Sequence, residues 1–366
     1  MENAVSIKYE KSNFLSEEIL IIGPDKTKKG GVATHIQNII TYTPLKNAIV
    51  YDLGSIGTTL KNDKSNFLNI FKSLFHLRRM VVDKNYIIFI NSSIYRSSFI
   101  KLLLILFFLP YKRAQKIIVF FHGGRFDLTF SFFGKLAFLF KPLLKRVKTF
   151  YFLSDVQEKG FLNKMGNYPV SLFNNYSDSN NILKHKLQKG NRLNFLFVGR
   201  IVQDKGVYEL LEAVKHLISK GNNNFHLYIV GDGGEFNNIK KVAETVGISR
   251  FISFPGYLEG EDLQEMYQIA DWFILPSYHE GFPYVFIEAM RAGVPFITTK
   301  TGALARLINQ SENGYLIPSK DALKLASLLE KVINSRPDKR MNCYKYFSEN
   351  LSKEKGEEFY EKLLMQ

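Results

Sequence analysis

The run from Ala270 to Pro295, ADWFILPSYHEGFPYVFIEAMRAGVP, constrains this chain more than any other stretch. Trp272-Phe273-Ile274-Leu275 is an apolar run of strand length, Pro276-Ser277 stops it, and Gly281 to Pro283 form a tight loop before a helix that starts near Tyr284. A helix start carries unsatisfied N–H donors and the positive end of a dipole, so this loop is a seat for a phosphate at the carboxyl end of a strand. Two carboxylates frame it. Glu280 lies in the loop, and Glu288, eight residues on, lies more than a turn deeper in the helix. A carboxylate accepts paired hydrogen bonds, which matches the vicinal hydroxyls of a ribose or a hexose. Spacing alone favours a chance acidic pair; the loop, the Pro276-Ser277 break and the Ala292-Gly293-Val294-Pro295 turn shift the reading to a ligand.

The same strand, turn and helix rhythm runs through the whole chain. Ile19 to Ile22 is a buried-type strand ended by Gly23-Pro24, and Lys28-Lys29-Gly30-Gly31 opens a helix to about Thr41. Two glycines allow a phosphate close to the backbone, although by itself such a pair more often marks a plain turn. It lacks the Gly-Lys-Ser/Thr ending of a nucleotide-hydrolase loop, which argues against ATP hydrolysis. Strands follow at 49–53, 86–90 and 116–121, the last ending in His122-Gly123-Gly124. His122 either reaches into a cleft or ties down its loop. Phe99 to Leu109 is apolar but about half the ~20 residues that span a bilayer, and reads as a helix on the sheet. From Lys141 on, Lys141, Lys145 and Lys148 fall on one face of an expected basic amphipathic helix, with another strand at 149–153.

Residues 179 to 192, polar and lysine-rich, read as a linker between two domains. The second sheet starts at Leu193 to Val198 and ends in Gly199-Arg200, with Lys205-Gly206 five residues past Arg200. A forked guanidinium and a point charge there make a phosphate clamp. Gly231-Asp232-Gly233-Gly234 follows the strand at 225–230 but misplaces the third glycine of a dinucleotide fingerprint, so NAD binding is discounted for a structural turn. Asn313-Gly314 reads as a hairpin turn, and the tail from Asp321 as helical.

Ser277-x-x-Glu280-Gly281-Phe282-Pro283 with Glu288-Ala289-Met290 resembles the signature of retaining nucleotide-sugar glycosyltransferases of the GT-B fold, the family 4 or group 1 type. The other motifs fall in that family's order over most of residues 20 to 320; Leu172-Phe173-Asn174-Asn175 stands where the family has a Pro-Asn-Gly turn and lacks its proline and glycine. The resemblance implies an α/β chain with two Rossmann-like doubly wound domains facing across a cleft. These are an acceptor-side domain over 1–185, on which a final helix at about 344–366 packs back, and a donor domain over 192–343. It implies a donor site of Gly31, Arg200, Lys205, Tyr257, Leu258, Glu280, Gly281, Phe282 and Glu288. Catalysis would fall to His122, Glu280, Arg200 and Lys205, with His122 near the donor sugar, Arg200 and Lys205 on the diphosphate, and backbone near Tyr257 and Leu258 at the base. No cofactor is expected. No Asp-x-Asp pair offers a metal–diphosphate cradle, so the cations would stand in for a metal.

The expected reaction is hexosyl transfer with retention from a nucleotide diphospho-sugar to a glycan or lipid-linked acceptor, in cell-surface polysaccharide biosynthesis. Two other classes remain open: a phosphorylase or sugar-phosphate synthase on the same fold, and a non-catalytic membrane or nucleic-acid binder. Composition bears on place and partners. The single cysteine, Cys343, allows no internal disulfide and fits a reducing cytosol, and the acid-interspersed first residues show no signal-peptide pattern. Residues 1 to 190 carry 28 Lys and Arg against 12 Asp and Glu, the remainder 21 against 22. A field that one-sided suits an anionic partner on the first half: membrane lipid, lipid-linked phosphate or nucleic acid. With the resemblance, the expectation is a peripheral protein at the cytoplasmic face of a membrane, with no nucleic-acid partner.

Overall fold

The computed structural model describes residues 18–24, 28, 30–45, 47–53, 64–111, 116–124, 137–178 and 192–365, the side chains of 64–68, 137–139 and 309–311 excepted. The expected linker at 179–192, apart from Arg192, and the first seventeen residues lie outside them.

β1 (Glu18–Ile22), α1 (Gly31–Tyr42), β2 (Ile49–Tyr51), α2 (Lys64–Val82), β3 (Tyr86–Ser92), α3 (Arg96–Phe108), β4 (Lys116–Phe121), α4 (Ala137–Leu144), β5 (Val147–Phe152), α5 (Asp155–Met165) and β6 (Val170–Leu172) alternate through the first half. They form a parallel six-stranded sheet in the order β2-β1-β3-β4-β5-β6. Its strands are apolar on both faces because both faces are covered. Leu20, Ile22, Ile88, Ile90, Val119 and Phe121 pack under α2, α3 and α5. Their alternates Ile19, Ile21, Phe89 and Phe120 join a core continuous with the second half.

The second half repeats the plan with β7 (Leu193–Val198), α6 (Val207–Ser219), β8 (Phe225–Val230), α7 (Phe236–Thr245), β9 (Ile252–Gly256), α8 (Gly260–Ile269), β10 (Trp272–Leu275), α9 (Tyr284–Arg291), β11 (Phe296–Thr299), α10 (Leu304–Ser311) and β12 (Gly314–Ile317). Its parallel sheet runs β12-β11-β10-β7-β8-β9. Three helices close the chain: α11 (Ala322–Ser335), α12 (Arg340–Asn350) and α13 (Lys353–Met365). The expected single last helix is thus two, broken at Leu351-Ser352, where Ser177 N–H donates to the Leu351 carbonyl at 3.0 Å. After this break α13 crosses onto the first domain, laying Tyr360 against Phe89 and Phe120 and within 3.1 Å of the His35 imidazole.

Two expectations are corrected. Asn313-Gly314 is no hairpin turn, because α10 carries the chain over the sheet and Gly314 opens a strand parallel to β11. A Cβ on Gly314 would stand 2.2 Å from the Phe296 carbonyl oxygen, which explains the glycine. Nor does one helix run from Lys141 to Lys148. Pro142 lies inside α4, which ends two residues later, and Val147 and Lys148 belong to β5. Lys141, Lys145 and Lys148 therefore share no helical face. Arg146, between the two elements, donates to the carbonyls of Leu106, Leu109 and Pro110, so it caps the end of α3.

Candidate active site

The loop between β10 and α9 is held from three sides by backbone contacts that exclude side chains. Gly206, at φ 71°, ends the turn that carries Lys205, and a Cβ there would lie 2.2 Å from the Pro276 carbonyl oxygen. Gly302, at φ 53°, would bring its Cβ within 2.1 Å of the Glu280 carbonyl oxygen, and Ala303 N–H donates to the Gly281 carbonyl at 2.9 Å. Gly281 itself faces the other domain, where its Cβ would stand 3.3 Å from the His122 carbonyl oxygen. Asn175 Nδ2 donates to the Phe282 carbonyl at 2.7 Å, and Arg306 donates to Asn174 Oδ1 at 2.6 Å. Hence the turn that departs from the family's Pro-Asn-Gly pattern still ties the two domains together across the cleft.

Lys205 and Glu280, far apart in sequence, form one ion pair here, with side chains only 18% and 8% exposed. Ser277 Oγ donates to the same Glu280 oxygen at 2.8 Å. Arg200 stands exposed at the end of β7. The adjoining Gly231–Gly234 turn is structural, as expected: a Cβ on Gly231 would fall 1.9 Å from the Gly199 carbonyl oxygen. Glu288 accepts from the Tyr267 hydroxyl at 2.8 Å. Burial raises its carboxyl above the ordinary range, against the opposing pull of that hydrogen bond and of the Arg291 charge. Tyr257 is exposed at the end of β9 with its hydroxyl 2.8 Å from Glu259, and Leu258 is half-buried beside it.

From the first domain come α1 and the turn after β4. Gly31 opens α1, with Tyr284 at the start of α9 as its nearest neighbour across the cleft. Burial alone pushes the His122 imidazole down to about 3, so it is uncharged at neutral pH. Its Nε2 is 2.8 Å from Asn91 Oδ1. This bond assigns the proton to Nε2 and leaves Nδ1 as an acceptor, buried and with no partner among the described residues. The ring centroid of His35 is 4.5 Å away, and burial holds His35 well below the histidine range as well.

The structure thus gathers Gly31, His122, Lys205, Glu280, Gly281 and Phe282 at one mouth, lines Glu288 along α9 behind them, and sets Arg200, Tyr257 and Leu258 at the ends of β7 and β9. Sequence reasoning missed Asn91, His35, Tyr267 and Tyr284. Only Asn91 carried a signal, as a polar residue closing an apolar strand next to the strand that ends in His122.

Residues 178–350 match the family described as Glycosyl transferases group 1. A stretch of 165 residues is 33% identical to the capsular polysaccharide biosynthesis glycosyltransferase CapM of Staphylococcus aureus, covering 44% of this chain and 43% of CapM. The first curated relatives are matched over about a third to two fifths of their own length. Among solved structures, Anabaena HepE in complex with UDP superposes with a TM-score of 0.75 at 16% identity, covering 95% of this chain and 99% of HepE. Sucrose-phosphate synthase of Thermosynechococcus elongatus gives 0.71 at 17% identity, over 95% and 99%. The architecture is therefore that of the GT-B proteins. The match to the group 1 family falls on the second domain, α11 and α12.

Proposed function

We propose that this protein moves a hexose from a nucleotide diphospho-sugar to a glycan or lipid-linked acceptor, with retention and without a metal, in the making of a cell-surface polysaccharide. The observation that carries this reading is the junction at Gly281. There the start of α9 and the Lys205–Glu280 pair of the second domain meet the uncharged His122 of the first. The part of CapM in capsular polysaccharide biosynthesis and the UDP bound in HepE support the substrate classes.

Breaking the bond between the anomeric carbon and the diphosphate oxygen passes through an oxocarbenium-like state while negative charge grows on the departing diphosphate. Arg200, the N–H groups of Lys205 not turned to Glu280, and the amides opening α9 act on that charge where it develops. Glu280 holds the Lys205 ammonium at the cleft, and Glu288, oriented by Tyr267, takes the ribose hydroxyls. His122 Nδ1 accepts a hydrogen bond from a hydroxyl of the donor sugar. Closure of the domains excludes water. Neither rival is favoured. The fold shared with sucrose-phosphate synthase fits both enzyme classes, and a preference for inorganic phosphate or a sugar phosphate as acceptor would select the rival. A binder without activity would not need the Lys205–Glu280–Ser277 arrangement. Release of nucleoside diphosphate from a nucleotide sugar by the purified protein tests the reading; no release from any donor would refute it.

We place the protein at an anionic lipid surface by its first domain. The support is the one-sided charge together with exposed Phe75, Phe107 and Tyr111 beside exposed Arg78 and Arg79. No described helix is long and apolar enough to cross a membrane.

A further inference from the structure

A buried polar seam lies behind the donor loop, where α1, the turn after β6 and α13 come together. Asn175 is buried and donates from Nδ2 to the Phe282 carbonyl at 2.7 Å, immediately before Pro283 and the amides that open α9. A carbonyl only accepts, so this bond fixes which end of the Asn175 amide is nitrogen and leaves Oδ1 for another donor. Oδ1 is buried and has no partner among the described residues, and the same is true of His35 Nδ1. Asn175 is the side chain that acts on the His35 imidazole as a hydrogen-bond partner. The other ring nitrogen, Nε2, lies 3.1 Å from the Tyr360 hydroxyl of α13. His35 and Tyr360 are both fully buried.

We infer that Tyr360, His35 and Asn175 form one hydrogen-bond relay and act as positioning residues for the donor loop: Tyr360 O–H donates to His35 Nε2, His35 Nδ1–H to Asn175 Oδ1, and Asn175 Nδ2–H to the Phe282 carbonyl. The consequence for the donor rests on the function proposed above; the relay itself does not. Buried His35 is uncharged at neutral pH and carries a single ring proton. With that proton on Nε2, His35 Nδ1 and Asn175 Oδ1 would be two buried acceptors side by side with no proton to share. With it on Nδ1 the two pair with each other, Nε2 becomes an acceptor, and the Tyr360 hydroxyl has to be the donor. All three bonds then run the same way, from the helix that crosses back to the loop that opens α9, and bonds in such a row strengthen one another. His35 is thus the Nδ1–H tautomer, packed with ring centroids 4.5 Å apart on His122, the Nε2–H tautomer. Docking of α13 on the first domain thereby reaches the Phe282 carbonyl, and with it the direction of the amides offered to the diphosphate.

Long-range proton–nitrogen correlation spectra of the full chain with isotopically labelled histidine read the tautomers directly, with His35→Gln and His122→Gln identifying the two rings. The expected result is Nδ1–H for His35 and Nε2–H for His122; Nε2–H on His35 would overturn the relay. The effect on the donor is read as affinity for whichever of UDP, GDP and ADP the wild type binds. Binding of none would overturn the donor reading and the positioning role with it, while the tautomer still decides the relay. A glutamine amide accepts at one end and donates at the other, so His35→Gln should keep affinity near the wild-type value. His35→Leu carries no relay, and Tyr360→Phe removes only its first donor; both should bind about tenfold more weakly. Packing alone predicts the reverse order for the two His35 variants, since leucine suits a buried site better than glutamine. Affinity as low in His35→Gln as in His35→Leu, or wild-type affinity in both His35→Leu and Tyr360→Phe, would overturn the proposal.

Discussion

At Lys205 and Arg200 the same lost charge should have two different signatures. On the proposed reading both cations act on the departing diphosphate, so either alanine variant should lower kcat by roughly 10²–10³. Lys205→Ala also strands Glu280, whose side chain is only 8% exposed, and should cost stability as well, on the order of 3–5 kcal/mol for an unpaired buried charge. Arg200 is exposed, and its variant should unfold like wild type. Turnover assays with thermal unfolding separate the two; near-normal rates in both would dismiss the clamp. Glu288→Ala should raise KM with kcat little changed, since a ribose contact is equal in ground and transition states. The histidines make the protein acid-sensitive. His122 titrates near 3 folded and near 6.5 unfolded, so the unfolded chain takes up the proton first as pH falls. Stability is intact above 6.5 and is lost at ~1.4 kcal/mol per pH unit on the way down. Denaturant titrations at pH 7 and pH 5 should show a smaller loss in His122→Gln. The positions of His122, Arg200 and Glu280, each beside a glycine after a strand, and of Glu288 in the helix that follows, were legible one by one. Their partners were not: 75 residues separate Lys205 from Glu280, and Tyr267 gives no local sign that it will hold Glu288.

Elements reveal why the glycines are where they are. Gly206 and Gly302 sit in left-handed conformations with carbonyl oxygens where a Cβ would go, so Gly302→Val should displace the Glu280–Phe282 loop while the sheet survives. The φ angle alone costs about 1–3 kcal/mol. Donor affinity should fall with little change in far-UV circular dichroism; a variant that binds donor normally would show the loop is not what Gly302 supports. Strand and helix positions were readable because buried parallel strands are continuous apolar runs, as at Lys116–Phe121, found where expected. The basic helix expected from Lys141 to Lys148 fails in the other direction: Pro142 lies two residues from the end of α4, and strand pairing of Val147 with Ile117 claims the residues that follow.

For the whole molecule, two six-stranded sheets form two domains, and α13 crosses back from the second to pack on the first. The two-domain plan was legible in the repeated rhythm; the interdomain ties of Asn174 and Asn175 were not, since they depend on docking. Turnover should survive a chelator, and inactivation by EDTA that magnesium or manganese reverses would refute metal independence. Flotation with anionic liposomes at low salt should carry the protein, and Arg79→Gln combined with Phe75→Ser should weaken it; equal binding to neutral liposomes would remove the charge argument. The most direct measurement is release of nucleoside diphosphate from a panel of nucleotide sugars, by wild type and by Arg200→Ala in parallel. Release is expected from at least one donor, at a rate lower by roughly 10²–10³ in the variant. No release from any donor, or equal release by both proteins, would contradict it.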